Sequence, residues 1–285
     1  MTYNGIVHGL DETEYHGLPG LSSTGAKKLL QSPAHYQHYI TAPREEKDEF
    51  DVGHLVHSKV LGVGAQVAIY PDDVLAKNGA ISTNAAHEFA ANARAEGKVP
   101  MKRAAANTVN RMAESVLAHD DARTLFENGR AEVSMFATDP ATGVPMRGRL
   151  DYLRETEIVD LKTTSGEASE HGFAKSVYDY SYDLQFGWYE HLYDLITGET
   201  PRWMWAVVES SAPFITGVFV LGTDEAEMGR KKARIVRERY QRCYEAGRWP
   251  SRYQNRTLTT VGIVQAPWWA VTEYEALLAS ERQYA

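Results

Sequence analysis

Gly148-Arg149-Leu150-Asp151-Tyr152-Leu153, followed by Glu157-Ile158-Val159-Asp160-Leu161-Lys162-Thr163-Thr164, is the stretch whose reading decides the fold. The second run is an apolar strand, and alternation along it puts Asp160 and Lys162 on one face. A buried carboxylate without a partner costs several kcal/mol, so Asp160 requires a cation. Lys162 suits that role, and on its own the pair reads as a structural ion pair. Asp151 changes the balance, because it lies in the preceding strand of a hairpin, where it approaches Asp160 across the sheet. Two carboxylates exceed the charge of one lysine, and a divalent cation is the natural remedy. Oxygen ligands favour Mg²⁺, with Mn²⁺ as a substitute. Such a site activates water and offsets charge developing on a phosphodiester oxygen. Lys162 beside it orients or deprotonates the water, or stabilises that charge.

Working outward, Ala131 to Phe136 reads as the first strand of the hairpin. Asp139-Pro140-Ala141-Thr142-Gly143 forms its turn, and Val144 to Leu153 is the returning strand. Helices are expected around 167–178 and 183–197, strands over 203–209 and 214–221, and a long charged helix over 223–247. Upstream, residues 1–22 read as extended chain. Ser22-Ser23-Thr24 caps a helix through Leu30, Pro33 opens a second, and Phe50 to Leu61 forms a third. Residues 65–71 alternate like a short strand. The text from Thr83 to Leu125 is helical, with Pro100 separating two helices. The whole predicts an α/β fold in one domain over 1–285. Residues 1–130 are mainly helical, 131–250 form the catalytic core, and 251–285 are a C-terminal tail.

The 285 residues carry a formal charge of -8, which excludes bulk positive charge as a way of holding nucleic acid but leaves room for a local basic surface. A single cysteine, Cys243, excludes a disulfide framework and a cysteine-rich metal site. The N-terminus lacks a secretory pattern and no apolar run approaches the roughly 20 residues of a membrane span, so a cytoplasmic protein is expected. There is no Walker-type glycine loop, no second histidine after His87-Glu88, and no Gly-x-Ser-x-Gly elbow. Asn255-Arg256-Thr257 is a sequon by pattern only.

The Asp, then Asp-x-Lys pattern resembles the PD-(D/E)xK nuclease superfamily, and more closely the RecE-type exonucleases of its RecB and lambda exonuclease branch. Gly20-Leu21-Ser22-Ser23-Thr24 with Ser32-Pro33-Ala34-His35-Tyr36 looks like that group's N-terminal helix pair. Gly53-His54-Leu55-Val56-His57 resembles its Gly-x-x-x-His motif, and Gln185-Phe186-Gly187-Trp188-Tyr189 its Gln-x-x-x-Tyr motif. Glu245-Ala246-Gly247-Arg248-Trp249-Pro250 is similar to its closing segment.

This resemblance implies a restriction-endonuclease-like core, a mixed sheet flanked by helices. It implies His57, Asp151, Asp160 and the Leu161 carbonyl as metal ligands, and Lys162 as the catalytic lysine. Gln185 would then hold the lysine or water, and Tyr189 would contact DNA; a packed tyrosine with a capping amide is the competing reading of that pair. It also implies Mg²⁺-dependent 5′-to-3′ digestion of linear double-stranded DNA, in a bacterial or phage-infected cell, leaving 3′ tails for recombination. A ring of three or four copies and a single-strand annealing partner of RecT type come with it. The chain is expected to start at the nuclease domain. An endonuclease, a single-strand-specific nuclease and a DNA-binding module without activity are the alternatives.

His54 is expected to be structural, and Glu132 more a structural than a metal-site acid. Arg230, Lys231, Lys232, Arg234, Arg237, Arg239 and Arg242, with Lys27-Lys28, are candidates for a DNA-channel wall. A solvated helix face of acid–base pairs is the competing reading of the seven.

Overall fold

The computed structural model describes residues 3–42, 52–251 and 264–284. The charged run 44–49, Phe50 at the head of the third expected helix, and the sequon at 255–257 lie outside them. The chain divides into two compact units, Met1–Trp249 and Pro250–Ala285. Among the described residues the second contains one helix, Trp268–Tyr284, within the expected C-terminal tail.

The first unit begins with a strand, β1 (Gly5–Val7), and a short helix, α1 (Glu12–Gly17). Extended chain was expected there. The Asp11 carboxylate accepts from the N–H groups of Thr13 and Glu14, which is enough to start α1 despite the surrounding glycines. Helix α2 (Ser23–Gln31) starts at the expected cap, Ser22, and α3 (Pro33–Thr41) opens at Pro33 as expected, capped by Ser32. Next come α4 (Val52–Leu61), β2 (Gln66–Ile69) and α5 (Asn84–Ala95). Pro100 is not a break between helices. It lies inside β3 (Lys98–Met101), which runs parallel to β2 as a two-stranded sheet and buries Val99 and Met101. Helices α6 (Arg103–Ala118) and α7 (Asp120–Leu125) follow.

The hairpin is β4 (Arg130–Thr138) and β5 (Pro145–Arg154), closed at Thr138↔Pro145. Then follow β6 (Glu157–Thr164), α8 (Glu170–Asp179), α9 (Tyr182–Thr197), β7 (Arg202–Glu209), β8 (Thr216–Phe219) and α10 (Thr223–Ala246). The main sheet has the order β1-β4-β5-β6-β7-β8. Only β6 and β7 are parallel, so the chain needs the long α8–α9 crossover between them.

Each sheet face has its own core. One is filled from α2, α9 and α10 by Leu29, Leu184, Trp188 and Val236. The other is filled from α4 and α6 by Leu55, Val56, Val109 and Met112. The backbones of α9 and α10 meet at two glycines. A Cβ at Gly187 would lie 2.5 Å from the Gly229 carbonyl carbon, so neither position admits a side chain without moving a helix. That contact fixes how α9 presents Gln185 to the sheet. Among the described residues no helix is long and apolar enough to cross a membrane.

Candidate active site

The site forms where the hairpin breaks its own alternation. Val133 and Leu150 face the α9 side, yet Ala131 and Tyr152, two residues along each strand, face the α4–α6 side. The pairing stays in register across the switch, from Val133↔Leu150 to Ala131↔Tyr152. Glu132 and Asp151 occupy the rung between. Glu132 has φ +54, a left-handed conformation that costs a non-glycine residue of order 1 kcal/mol. Pairing of β5 with β6 runs from Arg154↔Glu157 to Tyr152↔Val159. Past that rung the Asp151 side chain takes the place of a strand partner, and its Oδ2 accepts from the Leu161 N–H at 2.9 Å.

Helix α4 brings His57 to the same point. Its Nε2 lies 3.1 Å from Asp151 Oδ2 and 2.7 Å from the Leu161 carbonyl oxygen, while Nδ1 lies 2.8 Å from the Gly53 carbonyl. The Gly-x-x-x-His spacing is therefore one helical turn that lets the glycine carbonyl orient the imidazole. On the α9 side, Lys162 ion-pairs with Asp160 Oδ2, and Gln185 Nε2 donates to Asp160 Oδ1 at 2.7 Å. Gln185 thus holds the carboxylate, where the resemblance implied the lysine or water.

The structure brings two acids together with two cations. Burial works against charge on His57, but the Asp151 carboxylate more than offsets it and raises the imidazole pKa to about 9. Burial also opposes ionisation of Asp151, yet His57, Lys162 and the Leu161 N–H hold it below the usual carboxylate range. Burial pushes Asp160 up despite Lys162. Lys162 is disfavoured by burial and raised overall by Asp160 and Asp151.

Among the described residues no three His, Cys, Asp or Glu side chains stand as a ready ligand set. The donors present still suit a hard divalent cation. His57 Nε2, Asp151 Oδ2 and the Leu161 carbonyl oxygen converge on the position of a single imidazole proton, one nitrogen and two oxygens around one point. Asp160 Oδ2 is buried and, apart from its ion contact with Lys162, has no hydrogen-bond partner.

The cluster opens into a cleft of about 800 Å³ walled by Ser22, Ser23, Glu132 and Arg149 among others, with His54 on the same wall. Glu132 is bound by the Arg149 Nε at 2.5 Å, a structural pair. Tyr189 is 7% exposed, its hydroxyl 3.3 Å from Ser23 Oγ and its ring against Gly148. It is placed to pack the floor, where the resemblance implied a contact with DNA.

The seven cations of α10 do not form a free wall. Arg230 is bidentate to Glu190, Lys232 pairs with Asp183, and Arg237 with Asp139. Arg239 caps the carbonyls of Leu29 and Leu30, and Lys231, Arg234 and Arg242 pair with Glu227 or Glu238. They dock and solvate the helix.

Lys27 lies at the site itself. Its Nζ donates to Gln185 Oε1 at 3.2 Å, and burial and then Lys162 lower its pKa to about 8. Tyr182 sits under both lysines, and sequence reasoning passed over it. The only signal was its place at the start of the helix that carries Gln185.

Comparison with known proteins bears on the family and the fold. Residues 22–257 match the family model described as "PDDEXK-like domain of unknown function (DUF3799)". A crystal structure from Eubacterium rectale, of a protein provisionally called an exonuclease, superposes with a TM-score of 0.59 at 13% identity. The alignment covers 92% of this chain and 96% of that one, and it shows a shared fold. A second structure, SSO0001, reaches a TM-score of only 0.27 at 12% identity over 75% of this chain and 83% of its own, and carries no argument. None of the proteins with curated descriptions matches. On the family match, the chain belongs to the PDDEXK-like family DUF3799, within the PD-(D/E)xK nuclease superfamily.

Proposed function

We propose that the protein is a Mg²⁺-dependent DNA exonuclease of RecE type, which digests one strand of linear duplex 5′-to-3′ and leaves 3′ tails. The observation that carries this reading is that His57, Asp151 and Lys162 line one open cleft, with the buried Asp160 paired to Lys162 behind them. The cation would be held by His57, Asp151, Asp160 and the Leu161 carbonyl, and when bound it supplies Lewis-acid stabilisation and a more acidic water. Lys162 places an ammonium beside the scissile phosphate, where charge grows in the transition state. Asp160 and Tyr182 hold that ammonium, and Gln185 holds Asp160. Polarity, the ring of three or four copies, and an annealing partner of RecT type rest on the resemblance of the motifs. Within α10, Lys231, Arg234 and Arg242, exposed and paired only with acids of the same helix, are the cations left to face such a channel.

The test is digestion of linear duplex labelled separately at its 5′ and 3′ ends, beside a covalently closed circle, with and without Mg²⁺. Progressive loss from 5′ ends of the linear duplex alone is expected. Cleavage of the closed circle would favour an endonuclease, and no cleavage with Mg²⁺ or Mn²⁺ would favour a binding module. Light scattering near three or four times 31.9 kDa is expected for the ring, and a monomeric mass would remove it.

A further inference from the structure

The junction of α8 and α9 holds an aromatic pair that the proposed chemistry does not use. Ser181 between them is left-handed, with φ 52 and ψ 49, a conformation that serine adopts at a cost. The turn sets Tyr180 and Tyr182 side by side, ring centroids 5.6 Å apart and planes 30° from parallel. The inner ring, Tyr182, lies 4.8 Å from Lys162 Nζ and 4.9 Å from Lys27 Nζ. The outer ring, Tyr180, is 60% exposed. Tyr182 and Lys162 line both the catalytic cleft and a second one of about 510 Å³, whose walls include Thr164, Ser165, Lys175, Ser176 and Tyr180. An open tyrosine face therefore stands one ring away from the catalytic lysine, beside a cleft rich in hydroxyls.

We propose that Tyr180, backed by Tyr182, is a stacking platform for one unpaired nucleobase of the strand being cut, next to the phosphate held at Lys162. The inference rests on the nuclease reading and adds to it the state of the substrate. Aromatic stacking is indifferent to sequence, because every base offers a π face, and it suits a nuclease that reads no sequence. A base inside a duplex has both faces covered by its neighbours. The platform thus takes a frayed end or a single strand. The two lysines above Tyr182 leave the adjacent phosphates near positive charge, so base and backbone of one nucleotide are met together.

The experiment uses the full chain in chelator, where no cleavage occurs, with an oligonucleotide carrying 2-aminopurine at its terminal position. Binding should quench the fluorophore in the parent and in Tyr180→Phe, which keeps the ring, and should not quench it in Tyr180→Ala. With Mg²⁺, Tyr180→Ala should raise KM for DNA about tenfold, the size of one lost base stack, with a smaller change in kcat. If the parent cuts DNA and Tyr180→Ala keeps both the quench and the KM, the platform is wrong and the nuclease reading stands. If the parent cuts no DNA with either metal, the nuclease reading falls and takes this inference with it.

Discussion

Gln185 donates its amide N–H to Asp160 at 2.7 Å, so helix α9 orients a carboxylate of strand β6. The same amide accepts from Lys27 on α2 at 3.2 Å. One glutamine thus ties two helices to the acid that faces Lys162. Its work is positional, and a change there should alter metal affinity before it alters the chemical step.

Gln185→Ala should weaken Mg²⁺ binding about 10- to 100-fold, the usual size of losing a partner that orients a ligand. Titration of activity with metal should show the loss largely recovered at saturation. A variant with unchanged metal dependence and a low plateau would instead place Gln185 on the transition state.

Asp151 and Asp160 are balanced by His57 and Lys162, so the mutual repulsion expected of two acids beside one lysine is not what dominates without metal. Asp160→Ala should abolish cleavage and also lower metal-free stability, because it leaves Lys162 buried without its anion. Breaking one side of such a pair costs about 3–5 kcal/mol. The double variant Asp160→Ala with Lys162→Met should regain most of that loss and remain inactive. Urea melts of the parent, Asp160→Ala, Lys162→Met and the double variant decide it, and a double variant no more stable than Asp160→Ala would show that the pair is not coupled.

How much of this was legible follows from range. The hairpin, its turn and the Asp-x-Lys strand were readable because period-two alternation and turn residues are local signals. Strand β3 was not, because four residues with Pro100 among them look like a break between helices, and only pairing with β2 makes them a strand. The face switch at Glu132 and Asp151 left no trace in the pattern, although it aims the Asp151 carboxylate at Leu161. The partners of α10's cations depend on the packing of α10 against α9 and α2, which no spacing within α10 reports. Tyr182 was invisible for the same reason, since its role comes from lysines on α2 and β6.

Lys162→Ala should still bind metal and DNA but cleave roughly 100-fold or more slowly, the size of a single electrostatic group at a transition state. Single-turnover rates at saturating metal test this. Calorimetry showing lost metal affinity with an unchanged rate would assign the lysine to the metal site instead.

His57→Ala should weaken metal binding, with recovery at high metal and the larger loss of affinity in Mn²⁺, to which imidazole contributes more than to Mg²⁺. The Leu161 carbonyl and Asp151 remain in place, so the site loses one donor and keeps its shape. Equal activity in Mg²⁺ for parent and variant would remove the imidazole from the ligand set.

The last prediction concerns acid. Asp139, at the hairpin turn, is 2% exposed. Its Oδ2 accepts from Arg237 Nε at 3.0 Å and from the Thr142 hydroxyl at 2.6 Å, and its Oδ1 lies 3.3 Å from His191 Nε2. Burial alone would raise its pKa, but the Thr142 hydroxyl, Arg237 and His191 outweigh burial and hold it below the ordinary value. A carboxyl whose pKa is lower folded than unfolded contributes stability above the unfolded value, near 3.9, and loses it as pH falls through the folded value. His191 acts in the same direction at higher pH. Burial and Arg237 lower its pKa, so the unfolded chain takes up the proton first as pH falls from about 6.5. Asp139→Asn should therefore cost about 2 kcal/mol at pH 7, the size of a hydrogen bond to a charged group. Below about pH 4 its stability should fall less steeply than the parent's. Urea melts from pH 7 down to pH 3 give both quantities: coincident stability curves would show that the Asp139–Arg237 pair adds nothing to the union of hairpin and α10, and displaced but parallel ones that the Asp139 charge is not what contributes.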